Sequence, residues 1–417
     1  MHESGQPLVR TRYFWTGIAR ASFLGLFMGI VVLLYLAVED AAIELLWPEE
    51  IDFDPFEGPG IALFILPVGG LLVALLYRLF KLPHRLPSFI DELAEGRVDP
   101  KHAPGVVLVG LASLISGASI GPEAPMASAG GGSGTYLAER RDPSDVKVAE
   151  ATYAGVSGAF GGLMTSPLLG TILGLELQRP RALSFVFTYL VPGIISATVA
   201  FAIVYPISGN TFLGIYQVPG ADFEVWHLAA GAGLGLVGGV AGITHGLIAR
   251  LVSAAALPLN RIPLLRPVVG GLFLAIIGIV LPLTLFSGVE ELEVVLAHGA
   301  EIGVGLLLLT AVAKMIAVGV TFGTGFYGGP IFPLMFIGGT IGTAVHLLVP
   351  DVPMLLSVAA VTAAVPAALA PIPLTMILIT LVVFSIGPLT AAAVGIAAVV
   401  SFLVGFGLVR RVRPEHG

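Results

Sequence analysis

Residues 104–138 read PGVVLVGLASLISGASIGPEAPMASAGGGSGTYLA. Two apolar runs, near 104–120 and 124–138, flank the turn Ser119-Ile120-Gly121-Pro122-Glu123-Ala124-Pro125. Crossing the hydrocarbon core of a bilayer takes about 20 apolar residues, so both runs are short for a span. Basic segments lie on both sides, Lys81/Arg85/Arg97/Lys101 before and Arg140/Arg141/Lys147 after. A chain that leaves and returns to one side places the turn within or beyond the membrane. Non-helical backbone survives at that depth only where protein or a water-filled cavity surrounds it. The stretch predicts a broken, re-entrant pair of helices in an all-α integral membrane protein.

Composition points the same way. Of 417 residues, 56% are hydrophobic and only 11% charged, against about 25% charged in soluble domains. Mean hydropathy is +0.97, and lipid must serve as solvent for such a surface. The 54 glycines and 30 prolines suit close helix packing and broken helices. The absence of cysteine excludes disulfides, thiolate metal sites and thiol catalysis.

Further apolar runs fall near 21–38, 60–80, 150–176, 183–206, 226–252, 267–286, 303–321, 331–349, 353–384 and 388–409. Some are short for a span and some are long and interrupted, which predicts tilted and half-length helices. Arg10, Arg12 and Arg20 precede the first run, which is long for a signal sequence and is read as a membrane helix. Basic residues also gather at Arg179/Arg181, Arg250/Arg261/Arg266 and Arg410/Arg411/Arg413, while acids crowd Glu39–Glu57 and Glu290–Glu301. The positive-inside rule then predicts a multi-pass protein of the cell membrane with both termini cytoplasmic. The acidic segments are expected to be plain solvated outer loops.

A second break occurs at Phe322-Gly323-Thr324-Gly325-Phe326-Tyr327-Gly328-Gly329-Pro330-Ile331-Phe332-Pro333. Interrupted segments in corresponding halves are the best sequence pointer to a transporter's binding site. A two-repeat plan follows, 15–206 and 225–410, meeting in the loop-like stretch 207–225.

Three acidic or basic residues stand out in these runs. Glu123 is an isolated carboxylate among apolar residues, and such acids mark functional sites by default; the competing reading is a helix-start carboxylate held by the dipole. Gly329, Ile331 and Phe332 open a helix whose first N–H groups would suit an anion. Glu176 reads as a helix-end carboxylate paired with Arg179 or Arg181. Lys314 reads either as an attractor of anions or as a paired structural lysine. The lone histidines His84 and His245 are assigned no metal.

At these residues the chain resembles the CLC family of chloride channels and proton-coupled chloride transporters. Gly121-Pro122-Glu123-Ala124-Pro125 is similar to the family's Gly-Arg-Glu-Gly-Pro stretch, whose glutamate is the gate. Gly328-Gly329-Pro330-Ile331-Phe332-Pro333 is similar to its Gly-Gly-Ile-Phe-Ala-Pro stretch, whose amides hold the central anion. Ser166-Pro167-Leu168-Leu169-Gly170 and Glu176…Arg179-Pro180 resemble stretches between them. The resemblance covers nearly the whole chain in order. It implies an architecture of two inverted repeats, Glu123 as gate, and an anion site drawn from Gly121, Pro122, Ala124, Gly329, Ile331 and Phe332. It also implies a homodimer with one pore per subunit.

Departures bear on mechanism. The family's Gly-Ser-Gly-Ile-Pro serine falls at His84 when Pro87 is the shared proline, which makes His84 a candidate pore residue. The family's inner proton glutamate falls at Leu177, with Glu176 one residue before it. Its pore tyrosine has no counterpart beyond Tyr327, and its nucleotide-binding domains are not expected after Arg413. Pro330 has no N–H, so anion binding is expected to be weaker or differently selective than in typical members.

The main expectation is a passive or weakly coupled pathway for chloride or another small inorganic anion, gated by Glu123. The alternative is a proton- or fluoride-coupled antiporter that uses Glu176 or another proton route. A third reading is an intramembrane serine protease, since Gly155-Val156-Ser157-Gly158 fits Gly-x-Ser-Gly and His245 could be a base. The bilayer is the expected environment; no cofactor, metal, nucleic-acid partner or enzymatic activity is expected.

Overall fold

Glycine spacing decides how the helices of this all-α protein meet. The computed structural model describes residues 12–47, 56, 58–83, 86, 89–141, 144–178, 186–209, 212 and 214–412. The chain forms two compact units interlaced in sequence. The first comprises Met1–Val38, Leu86–Val107 and Glu123–Phe212; the second comprises Glu39–Arg85, Leu108–Pro122 and Leu213–Gly417. Helices α1 (Arg12–Leu46) and α4 (Ala103–Ile115) each run from one unit into the other.

In the first unit, α6 (Asp145–Leu163) packs against α5 (Glu123–Glu139), α7 (Pro167–Gln178) and α8 (Val191–Ser208). Small residues at intervals of four line the α5–α6 contact: Gly130 and Gly134 face Ala151, Gly155 and Ala159. A Cβ on Gly155 would stand 2.0 Å from the Gly130 carbonyl oxygen, so the two backbones touch directly. Without a hydrophobic force between helices in lipid, such contact is what holds them. Thr135 and Thr152 hydroxyls bond across the same seam at 2.7 Å. The short α3 (Phe89–Glu95) rests on α5, α6 and α7, and Arg97 pairs with Glu139 at the far end of α5.

In the second unit, α9 (His227–Ala255) packs on α13 (Met354–Ala367) and α15 (Pro388–Val412). Gly231 and Gly235 lie against Ala393 and Ala397, and Gly238 and Gly242 lie against Ala364 and Val365. Helix α12 (Ile331–Leu348) is packed between α11 (Val289–Thr324) and α13, and α2 (Ala62–Leu79) lies on α10 (Leu265–Val280). Among the described residues seven helical segments are long and apolar enough to cross a membrane, and five shorter apolar helices accompany them. That mixture is the broken, half-length pattern expected from the runs.

The long run 353–384 is interrupted in the same way: it splits into α13 and α14 (Pro373–Val383), because Pro371 and Pro373 deny the helix its donors. One expectation changes. The acidic segments are not plain loops. Helix α1 continues through Glu39, Asp40 and Glu44, and Glu290–Glu301 is helical. Glu291 is buried, with 1% of its surface exposed.

Helix α11 also folds back on itself. Phe286 and Lys314 are 28 residues apart, which a straight helix would stretch over about 40 Å. The Lys314 Nζ instead donates to the carbonyls of Leu285 at 2.6 Å and Phe286 at 3.0 Å. The bend is at Gly303, whose φ of 78° and ψ of 155° interrupt the helix.

Substituting Gly155 by Ala forces the α5 and α6 backbones apart and should cost about 1–3 kcal/mol, read as a lower melting temperature in detergent. Gly233, with nothing within 4 Å of an added Cβ, is the control whose alanine variant keeps its melting temperature. A second prediction concerns α3. Burial pushes the Glu92 carboxyl up to about 7, with Asp99 and Glu95 adding to the effect. The unfolded chain gives up this proton near the ordinary value of 4.5. Stability contributed by the protonated group is therefore present below pH 4.5 and lost as pH rises to about 7. Melting curves of Glu92→Gln should lose less stability across that window than those of the native chain.

Candidate functional site

The two breaks expected from the sequence are joined. Helix α4 ends at Ile115 and α5 begins at Glu123; α11 ends at Thr324 and α12 begins at Ile331. Between them, Gly121 and Gly329 form an antiparallel bridge inside the second unit. The Gly121 N–H donates to the Gly329 carbonyl at 2.8 Å, and the Gly329 N–H donates to the Gly121 carbonyl at 2.7 Å. A third tie runs from the Tyr327 N–H to the Ser113 hydroxyl at 3.2 Å. Close approach requires glycine here: a Cβ on Gly328 would stand 2.5 Å from Ile120 and 2.9 Å from the Gly121 carbonyl oxygen.

The bridge pairs equivalent positions. Gly121-Pro122-Glu123-Ala124-Pro125 and Gly329-Pro330-Ile331-Phe332-Pro333 share the pattern Gly-Pro-x-x-Pro, in each case with a helix opening just after the first proline. This signal was present in the sequence as an identical spacing. In both frames the second proline occupies the third helical position and brings no N–H. In α12 the Leu334 N–H already bonds the Pro330 carbonyl at 3.0 Å. First-turn N–H groups of a helix have no acceptor within it. The donors that remain for a solute at the head of α12 are those of Ile331 and Phe332. The N–H groups of Gly121 and Gly329 are spent on each other, so these glycines set the geometry of the frame.

Gly121, Pro122, Gly329, Ile331 and Phe332 are buried together in the second unit. Glu123 and Ala124 follow in the chain, open α5 in the first unit, and are buried to 0% and 2% exposure. Glu176 is half-buried in the last turn of α7; Arg179 and Arg181, its expected partners, lie outside the described residues, as does His84. Lys314 is fully buried, held by two carbonyls and set 4.9 Å from the Phe336 ring centroid. Those bonds tie it to the segment that bonds on through the Phe286 N–H to the Gly117 carbonyl at 3.1 Å, just before the first break.

Sequence reasoning missed two residues near this frame. Ser119, two positions before the bridge, is buried to 1% and its hydroxyl has no hydrogen-bond partner among the described residues. Glu291 is buried on the arm of α11 that begins just after Phe286, close enough to Lys314 for the two charges to act on each other. Ser119 carries no sequence signal beyond its place in the break; Glu291 was hidden in an acidic cluster. The protease reading gains nothing: Ser157 is fully buried in the middle of α6, where no substrate carbonyl reaches it, and His245 belongs to α9 of the other unit.

Comparison with known proteins agrees with this architecture. The chain is 25% identical over 350 residues to the putative ion-transport protein YfeO of Salmonella newport (strain SL254), covering 81% of this chain and 82% of that protein. Its fold is similar to a slow cyanobacterial Cl−/H+ antiporter, with a TM-score of 0.78 and 21% identity, covering 94% of each chain. It is also similar to a CLC-type fluoride/proton antiporter, with a TM-score of 0.73 and 19% identity, covering 94% of this chain and 97% of that one. The profile of the voltage gated chloride channel family matches residues 69–405, most of the length and both breaks. The chain belongs to the voltage gated chloride channel family.

Proposed function

We propose that this chain carries small inorganic anions, chloride foremost, across the membrane in exchange for protons, with Glu123 as the group that competes with the anion and carries the proton. The observation that carries the reading is the bridged pair of Gly-Pro-x-x-Pro frames, with one carboxylate, fully buried, directly after the proline of the first. Helix N-termini attract negative charge, and a glutamate in that position competes with a solute anion for the same kind of donor. The Ile331 and Phe332 amides and the Ser119 hydroxyl are the anion's ligands in this reading. A buried hydroxyl without a partner costs about 1–3 kcal/mol, which a bound anion offsets.

Exchange is preferred over the passive pathway that sequence alone favoured. Two solved structures of similar fold are antiporters by name, one for chloride and one for fluoride. The passive reading keeps one supporting observation, the leucine at position 177 where the resemblance calls for an inner proton glutamate. Glu176, one residue earlier, is then the first place to seek the inner proton step. The two repeats, 15–206 and 225–410, belong to this proposal and are supported by the recurring frame. So do a homodimeric assembly and cytoplasmic termini, supported by the family and by the basic loops.

Proteoliposomes with an imposed proton gradient test the reading. The native chain should accumulate chloride against its gradient, and Glu123→Ala should lose that coupling while anions still leak. If no uphill movement occurs in the native chain, the pathway is passive. Running the assay with fluoride identifies the preferred anion. Separately, Ser119→Ala should raise the half-saturating anion concentration by about three- to tenfold with coupling intact; an unchanged value removes Ser119 from the site.

A further inference from the structure

A cavity of about 640 Å³ opens within the second unit, and neither glycine of the bridge lines it. The end of α2, the turn Leu257–Arg261 with its following residues, and the end of α11 form its walls. Among the described residues three cations line it, Arg78, Lys81 and Arg266, and no acidic residue does. Asn260 adds an amide.

Two of the cations are not accounted for by packing. Arg78 and Lys81 are exposed and form no ion pair among the described residues. Arg266 is fixed in place, donating from Nε at 3.3 Å and Nη2 at 3.0 Å to the Gly323 carbonyl near the end of α11. Lys81 holds a position that usually goes to glycine. The Leu82 N–H bonds back to the Tyr77 carbonyl at 2.9 Å, closing α2 in a turn that needs a left-handed residue, and Lys81 supplies it at φ 52°. Glycine would avoid that strain and would also remove a charge from the cavity.

We infer that this cavity binds the phosphate of an anionic phospholipid headgroup. Several donors spread over such a volume suit an oxyanion with several acceptor oxygens better than a monatomic ion. The volume lies in the range of about 300–1,000 Å³ usual for small-molecule sites. The lipid source follows from the setting: Leu79 and Leu265, sequence neighbours of the lining residues Arg78, Leu264 and Arg266, are 72% and 52% exposed, so the same helices offer apolar surface to acyl chains. Basic pockets between membrane helices on the cytoplasmic side hold such headgroups, and the segments of Lys81 and Arg266 are those that charge asymmetry puts there. Because the cavity wall includes Thr324 and Gly325, which lead into the bridged segment, the bound lipid braces the start of the anion site from behind.

The test is a titration of purified protein with phosphatidylglycerol against phosphatidylcholine, counting retained lipid by native mass spectrometry. The native chain should retain phosphatidylglycerol in preference. At about fivefold per cation, Arg78→Gln with Lys81→Gln should weaken retention about 25-fold. Both side chains are exposed, so the variant should fold, which an unchanged melting temperature in detergent checks. Arg140→Gln with Arg141→Gln, removing two exposed or half-exposed cations from the first unit, should leave retention unchanged. Equal weakening by both pairs, or no preference in the native chain, means general surface charge and overturns the site. Displacement of the lipid by an equal concentration of inorganic phosphate means a soluble phosphate source and overturns the lipid assignment.

Discussion

Hydrocarbon offers no water to backbone N–H and C=O groups, so a chain that interrupts a helix within a membrane must pair the released groups itself. Here two interruptions pair with each other. The Gly121 and Gly329 peptide groups exchange two hydrogen bonds, and the Ser113 hydroxyl takes the Tyr327 N–H beside them. Break either strand of that pairing and the other is left with unsatisfied donors in a dry setting. The bridge is therefore what permits two helices to start where they do, and helix starts leave first-turn N–H groups without acceptors in the helix.

That arrangement needs backbone contact at van der Waals limits, which explains why glycine is spent so freely. Gly328 is required by Ile120 and by the Gly121 carbonyl across from it. The same economy operates away from the site, where the α5–α6 and α9–α13 seams are lined by Gly and Ala. Charges are handled differently. Lys314 has no surface to reach, so its charge is met by the carbonyl dipoles of Leu285 and Phe286 and by the nearby, equally buried Glu291 carboxylate. It thereby staples the folded-back arm of α11 to the segment that bonds onward to Gly117. Of the two readings the sequence left open for Lys314, attractor of anions or paired structural lysine, these bonds fit the second.

Much of this was legible because interruption of an apolar run is a local signal. The breaks at 119–125 and 322–333 were read correctly, and so was the mixture of long and short helices, since Gly and Pro act on their own neighbourhood. What failed were properties set by distant contacts. Nothing local distinguishes Glu291 from Glu290, Glu293 or Glu301, yet burial selects it. Nothing in the run 303–321 announces that it will be folded against residues 285–286. The Ser119 hydroxyl is ordinary in sequence and becomes unusual only once its surroundings leave it without a partner. Helix α1 outran its apolar run because Glu39, Asp40 and Glu44 are half-exposed or exposed and cost a helix end little.

The paired frames also bear on how one protein binds an anion and then lets it go. Gly-Pro-x-x-Pro sets up a helix start twice, and the dipole at each start favours a negative charge. The residue after the first proline is Glu123, and after the second it is Ile331. One frame therefore carries its own tethered anion, and the other can be answered only by a solute. Two frames that both relied on solute would each call for one, and transport requires that binding be weak enough to leave. A carboxylate that takes up a proton loses its charge and no longer answers the dipole of its own frame. The two frames thus differ in charge at one position, a carboxylate in the first and an apolar side chain in the second.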